Sequence, residues 1–328
     1  MDLIKEIHDY LSNEISAMNA VIVDSLAVEE ELIQVISNHL ANAGGKRMRP
    51  ILTILSAKMF GYRGDLAIRL AAAVEFIHMA TLLHDDVIDG SRMRRFLPTA
   101  NVVWGSKASI LVGDFLFSQS FKLIVSTRLI PALEMLSKAS AIIAEGEVSQ
   151  LTKLEQRRIV FEDEYFKVIN AKTAELFGAA CGVGSIVAGR EDLADELKSF
   201  GLHLGNIFQI VDDVLDYFSS SSKVGKNVGD DFYEGKVTLP IIILANQLPD
   251  GDASKLKDMF AAGTRSEAEF VWVKSKMREF KVQEIITDRL NSMKDNAMQV
   301  LKRINVGNDN KPKEYLEKLI DFAIKRAY

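Results

Sequence analysis

Two groups of three aspartates share one spacing. Asp85, Asp86 and Asp89 lie in FIHMATLLHDDVIDGSRMRR, and Asp212, Asp213 and Asp216 lie in GNIFQIVDDVLDYF. Each group follows an apolar run that reads as helix. Residues three and four apart share a helix face, so Asp85 aligns with Asp89 and Asp86 sits close to Asp89. Carboxylates packed so tightly repel one another and invite a hard cation. Mg²⁺ suits this, because it is held by one or two carboxylates together with phosphate oxygens. One such motif alone is a weak signal, since a solvated helix end carries the same residues. Two of them point to a metal-bridged diphosphate between two helices.

The cations for such an anion are present. GGKRMRP places Lys46, Arg47 and Arg49 in a Gly-led turn, where backbone amides and positive charge can hold a phosphate. Positive charge opposes the helix dipole there, so a purely structural role fits less well. Arg94-Arg95 follows the first acidic motif, Lys172-Thr173 follows a long helical run, and Lys226 and Lys236 flank an acidic Gly-rich loop. Each is ordinary surface charge by itself. Glu75-x-x-His78 matches half of a di-iron motif, but such motifs work in pairs and no second Glu-x-x-His occurs. The place of His78 shortly before Asp85 favours a role beside the diphosphate.

The elements that must position these groups read as helices. Residues 3–41 suggest two amphipathic helices, and Pro50 suits the start of the next. Residues 51–60 and 66–89 are densely apolar. LAIRLAAAVEFIHMATLLHDDVID is hydrophobic nearly all round until its acidic end, which belongs at the centre of a bundle. Further helices are expected over about 106–125, 129–155, 161–187 and 191–218. SSSSKVGKNVGDDFYEGKV reads as a long polar loop, an expected lid. Residues 238–328 return to helical patterns, least clearly around AAGTRSEAEF. No strand-like alternation is evident. The expectation is a single all-α domain over 1–328, one large helical bundle.

Composition agrees. A hydrophobic content of 48% supports a large core, six prolines are few, and a net charge of −5 does not suggest a nucleic-acid partner. The single cysteine, Cys181, excludes an internal disulfide framework and fits a reducing compartment. Its small apolar neighbours, AACGVG, suggest a buried structural thiol. No unbroken apolar run approaches a membrane span, and MDLIKEIHDYL resembles neither a signal nor a transit peptide. A soluble cytoplasmic protein is expected, with attachment at a membrane surface left open.

This set closely resembles the trans-isoprenyl diphosphate synthases, most of all the bacterial long-chain (octaprenyl and decaprenyl) type. The resemblance runs from GGKRMRP to EGKVTLP, with motifs in family order. DDVIDGSRMRR resembles the first aspartate-rich motif, DDxxDxxxxRR, and GNIFQIVDDVLD the second. PTANVVWGSKASILVGDFLF, GEVSQL and KTAELFGAA also resemble family segments. The family usually has Gly after the Arg pair, where this chain has Phe96.

The resemblance implies an isoprenoid synthase-type fold around a central apolar cavity, a homodimer, and about three Mg²⁺ ions per site. It implies that Asp85, Asp86 and Asp89 bind two of them on the allylic diphosphate. Asp212 would be the main ligand of the third, supported by Asp213 and Asp216. Arg94, Lys172 and Lys226 would hold the allylic diphosphate. Lys46, Arg49, His78 and Arg95 would hold isopentenyl diphosphate, with Lys236 added to the cations around the substrates. Thr173 and Gln209 would face the developing carbocation. Chain length would be set in a tunnel beside the helix bearing the first motif. The gate positions are Thr81 and Ala80, both small, then Ile77 and Phe76. The first motif also lacks the two-residue insertion common in bacterial short-chain enzymes. A product of about C35–C50 is expected, one helix turn matching about one isoprene unit. Product release would involve contact with a membrane surface. The competing readings are a shorter-chain (farnesyl or geranylgeranyl) synthase, a class I terpene cyclase, or a non-catalytic subunit of a heteromeric synthase.

Overall fold

The computed structural model describes residues 3–42, 44–94, 96–218, 228–306 and 309–326. The N-terminal segment, expected as two helices, forms three: α1 (Leu3–Tyr10), α2 (Ser12–Leu26) and α3 (Glu31–Asn42). The first break falls at the buried Leu11, with no Gly or Pro beside it to signal it. Helix α4 (Met48–Lys58) carries Pro50 in its first turn, where the missing N–H costs no helical bond.

Helix α5 (Leu66–Ile88) is followed by two short strands, β1 (Met93–Arg94) and β2 (Leu97–Pro98). They pair antiparallel, Met93 opposite Pro98 and Arg94 opposite Leu97. Two residues are too few for alternation to show in a sequence. Phe96 joins the strands with φ +68° and is 70% exposed. This is left-handed backbone, which Gly adopts freely and a residue with a Cβ does not.

Helices α6 (Ala100–Trp104), α7 (Ser106–Ser126), α8 (Ile130–Glu155) and α9 (Glu162–Ile169) follow. The continuous helix expected over 161–187 is interrupted by one π-helical turn, Asn170–Ala174, before α10 (Glu175–Val187). A 3₁₀ turn at Glu191–Leu193 leads into α11 (Ala194–Phe218). Within the expected loop, Asp230–Glu234 forms the short helix α12. The chain continues through α13 (Leu239–Gln247), α14 (Asp250–Ala261) and α15 (Glu267–Glu279) to α16 (Val282–Arg303) and α17 (Lys311–Lys325). Ser266 and Glu269 form a reciprocal capping box that starts α15 and settles the AAGTRSEAEF region.

The chain divides into two compact units. One comprises Met1–Ser140, Leu176–Gly201 and Val300–Leu319; the other comprises Ala141–Glu175, Leu202–Gln299 and Ile320–Tyr328. In the first, α5 packs against α2, α4 and chiefly α7. Ala71, Ala72, Ala73, Val74, Phe76 and Ile77 are all buried, so consecutive residues on every side of the helix meet protein. Cys181 is free and fully buried, and burial pushes its thiol up to about 12, which suits a structural residue.

In the second unit α13 packs against α9, α14 and α15. An aromatic cluster fixes the chain just after the second acidic motif. Phe232 of α12 lies with its ring centroid 5.8 Å from that of Phe260 and 5.5 Å from that of Phe270, and Tyr217 lies 6.0 Å from Phe270. Gly229 enters this cluster at φ +94°; a Cβ there would meet the Phe270 ring at 2.6 Å.

Among the described residues, α5 and α7 are long and apolar enough to cross a membrane. Protein buries 72% of the relevant window of α5 and 39% of that of α7, so the hydrophobicity of α5 is that of a core helix.

Candidate active site

In the first unit the acidic motif closes α5. The Asp89 N–H donates to the Asp85 carbonyl at 2.8 Å, so both residues belong to one helical turn. Asp85 is half-buried and Asp89 exposed. Asp86 is already engaged by protein. It is 2% exposed, and Arg94 donates to it from Nε at 3.2 and 3.1 Å and from Nη2 at 2.8 Å. The Asp86 carbonyl accepts from Asn101 Nδ2 at 3.1 Å and from the Ser91 N–H at 3.0 Å. The hairpin is thereby tied to the motif, and two residues singled out by sequence are partners of each other.

The basic turn before α4 is divided in purpose. Lys46 is exposed and Arg49 half-buried, its guanidinium 4.6 Å from the Phe177 ring centroid. Arg47, at φ +48°, turns to Glu75 and forms a largely buried ion pair with it. Glu75 is therefore occupied, and the di-iron pattern has no remaining support. His78 is half-buried on α5, and its carbonyl accepts from Thr81 Oγ1 at 2.8 Å. Phe76, Ile77 and Ala80 are buried and Thr81 is half-buried. Arg95 lies outside the described residues, as does Lys226.

In the second unit the other motif sits on the last two turns of α11. Asp212 is exposed and pairs with Arg326 at 2.7 Å; the guanidinium also lies 4.3 Å from the Phe208 ring centroid. Nothing in the sequence marks Arg326 as the partner of a residue 114 positions earlier. Asp213 is buried. Tyr165 OH donates to its Oδ2 at 2.6 Å and Gln209 Nε2 to its Oδ1 at 2.8 Å. Asp216 Oδ2 accepts from the Asp231 N–H at 3.2 Å. Burial pushes the carboxyl groups of Asp213 and Asp216 up to about 7; the charge of Asp231 adds to this for both, and Lys236 opposes it. Lys236 pairs with Asp231 at 3.0 Å. Burial alone would lower its amine, but Asp231 and Asp213 outweigh that and hold it above the usual range. Asp231 is thus a site residue that sequence reasoning missed; its proximity to the motif arises only through the α12 turn.

The π turn presents the next two groups. The Glu175 N–H closes it by donating to the Asn170 carbonyl. Asn206 Nδ2 anchors it by donating to Asn170 Oδ1 at 2.7 Å. Gly146 lets α8 approach, since a Cβ there would fall 2.7 Å from Ala171 Cβ. Lys172 then reaches Glu147 at 2.8 Å, and Thr173 Oγ1 donates to Gln209 Oε1 at 2.8 Å.

Among the described residues, no group of three or more His, Cys, Asp or Glu is gathered as a ready metal cluster. The donor set still fits a hard divalent cation. Both motifs offer oxygen ligands, and in the second unit Asp213, Asp216 and Asp231 hold repelling charge that a dication would relieve. Mg²⁺ takes few protein carboxylates and completes its shell with phosphate and water, so a preformed cage is not required.

Residues 30–277 match the polyprenyl synthetase family model. The chain belongs to the polyprenyl synthetase family. It is 42% identical to the octaprenyl diphosphate synthase of Escherichia coli K12 over 240 residues, covering 73% of this chain and 74% of that one. Among solved structures, a decaprenyl diphosphate synthase from Rhodobacter capsulatus has a TM-score of 0.92 and 39% identity, covering 99% of both chains. A polyprenyl synthase from Caulobacter crescentus CB15, complexed with calcium and isoprenyl diphosphate, has a TM-score of 0.91 and 38% identity, covering 99% of this chain and 98% of that one. The fold is therefore the all-α fold of the polyprenyl synthetases.

Proposed function

We propose that this family member is an all-trans polyprenyl diphosphate synthase, joining an allylic diphosphate to isopentenyl diphosphate to give a product of about seven to ten isoprene units. The observation that carries this reading is the Asp-Asp-x-x-Asp motif repeated at the ends of α5 and α11, in a chain that aligns over nearly its whole length with long-chain synthases. The two units together form one synthase domain.

The difficult step is loss of diphosphate from the allylic substrate. About three Mg²⁺ ions, when bound, would neutralise charge developing on that leaving group. Asp85, Asp86 and Asp89 would hold two of them and Asp212 the third, with Asp213 and Asp216 in support. Arg94, Lys172 and Lys226 hold the departing diphosphate, and Lys236 adds to the positive field. Lys46, Arg49, His78 and Arg95 orient isopentenyl diphosphate so that its double bond meets the cationic carbon. Thr173 and Gln209 face that carbon. The proton released at the end goes to the diphosphate. The apolar α5 shields the cation from water.

Product length follows from the small Ala80 and Thr81, one turn before Asp85, which leave the growing chain room beside α5. Ile77 and Phe76 line the next turn. A homodimer is supported by the partly exposed apolar side chains of Val102, Val103, Ile110 and Leu111 on α6 and α7; a second copy would cover them. The protein acts in the cytoplasm and releases its product at a membrane surface. Supplying the allylic diphosphate with and without isopentenyl diphosphate tests the reading. A synthase needs both to release diphosphate, a cyclase needs only the first, and a non-catalytic subunit releases none.

A further inference from the structure

The second acidic motif is tied to Thr173 by a chain of hydrogen bonds that begins at Tyr165. Tyr165 is 4% exposed, and its hydroxyl donates to Asp213 Oδ2 at 2.6 Å. Gln209 Nε2 donates to Asp213 Oδ1 at 2.8 Å. Gln209 thus turns its amide nitrogen to Asp213 and its carbonyl the other way. That carbonyl accepts from Thr173 Oγ1 at 2.8 Å. It has no hydrogen to give, so Thr173 is the donor. The hydroxyl hydrogen of Thr173 is committed to Gln209, and its lone pairs face away from it.

We propose that Tyr165 is a positioning residue for the ionisation step: by holding Asp213 it fixes the Gln209 amide, and the amide fixes the Thr173 hydroxyl with its lone pairs toward the reacting carbon. This rests on the reading of Thr173 as a group facing the developing cation. An oriented hydroxyl dipole stabilises positive charge without reorganising during reaction. Without the Tyr165 hydroxyl, Asp213 loses one of its two fixed contacts. The Gln209 amide is then free to flip, and Thr173 to turn its positive end toward the cation.

The test is a double-mutant cycle of Tyr165→Phe and Thr173→Val. Steady-state kinetics use isopentenyl diphosphate and an allylic diphosphate; Mn²⁺ binding without substrate is followed by electron paramagnetic resonance. Tyr165→Phe is expected to lower kcat about 10–100-fold, the range for outer-shell partners. KM for both substrates and Mn²⁺ affinity should stay within about twofold, since only the transition state loses an interaction. In the Thr173→Val background Tyr165→Phe should change kcat no further. An unchanged kcat, additive losses, or weakened Mn²⁺ binding in Tyr165→Phe would overturn the role of Tyr165. An unchanged kcat in Thr173→Val alone would instead remove Thr173 from the reaction, and Tyr165 with it. If Tyr165→Phe does not fold, Gln209→Met cuts the same chain at its middle and takes its place in the cycle. Additive losses with Thr173→Val there are equally contradictory.

Discussion

Arg94 grips the buried carboxylate of Asp86 through three hydrogen bonds of 2.8 to 3.2 Å. The pair has a structural task that does not depend on any ligand. Removing one partner leaves the other charge buried and uncompensated, so Arg94→Ala is expected to destabilise the ligand-free protein by about 3 kcal/mol. Adding Asp86→Ala should recover part of that loss. Urea unfolding of the single and double variants checks this; equal stability of Arg94→Ala and the parent would refute it.

The backbone at Phe96 carries a cost. At φ +68° and 70% exposed, the residue occupies a left-handed conformation with little burial in return. Phe96→Gly is expected to raise stability by up to about 1 kcal/mol, the relief of left-handed strain less the added chain entropy of glycine. The same unfolding experiment reads it, and a destabilised variant would show that the side chain has a contact that matters more than its backbone.

Arg326 holds Asp212 in the metal-free state, so a cation must displace it. Both side chains are partly exposed, and such a pair contributes about 1 kcal/mol or less. Arg326→Ala should therefore tighten Mn²⁺ binding, in the absence of substrate, by no more than about fivefold. Isothermal titration calorimetry gives the answer; weaker binding would mean that Arg326 supports the metal site instead of competing for it.

The contrast between what the sequence carried and what it hid lies in distance along the chain. The acidic motifs stand out because helical spacing brings near neighbours onto one face; Lys172-Thr173 and the small residues before Asp85 stand out only through the family resemblance. The all-apolar α5 was legible because a helix without a polar face has to be buried. Arg326 at Asp212, Tyr165 at Asp213 and Glu147 at Lys172 were not, because each pairing joins residues 25 to 114 positions apart. The π turn escaped for a different reason. NAKTA contains no Gly or Pro to interrupt an ordinary helix, and the turn is anchored by Asn206 and by the approach of Gly146, which are tertiary contacts. The strain at Phe96 was half visible, as a bulky residue in a family glycine position.

Ala80 is buried on α5, one turn before Asp85. If the growing chain passes this turn, a ring placed there must stop it. Ala80→Phe is expected to shorten the product to about three or four isoprene units while turnover continues, a helix turn matching about one unit. Product chromatography decides it, and a variant that keeps the parent's product length would show that the chain runs elsewhere.

The most direct measurement supplies the purified protein with Mg²⁺, an allylic diphosphate and radiolabelled isopentenyl diphosphate, and resolves the dephosphorylated products by chain length. All-trans chains of about seven to ten isoprene units are expected, with none in excess chelator and no diphosphate release when isopentenyl diphosphate is omitted. Diphosphate released from the allylic substrate alone, a product ending at three or four units, or no product at all would contradict this expectation.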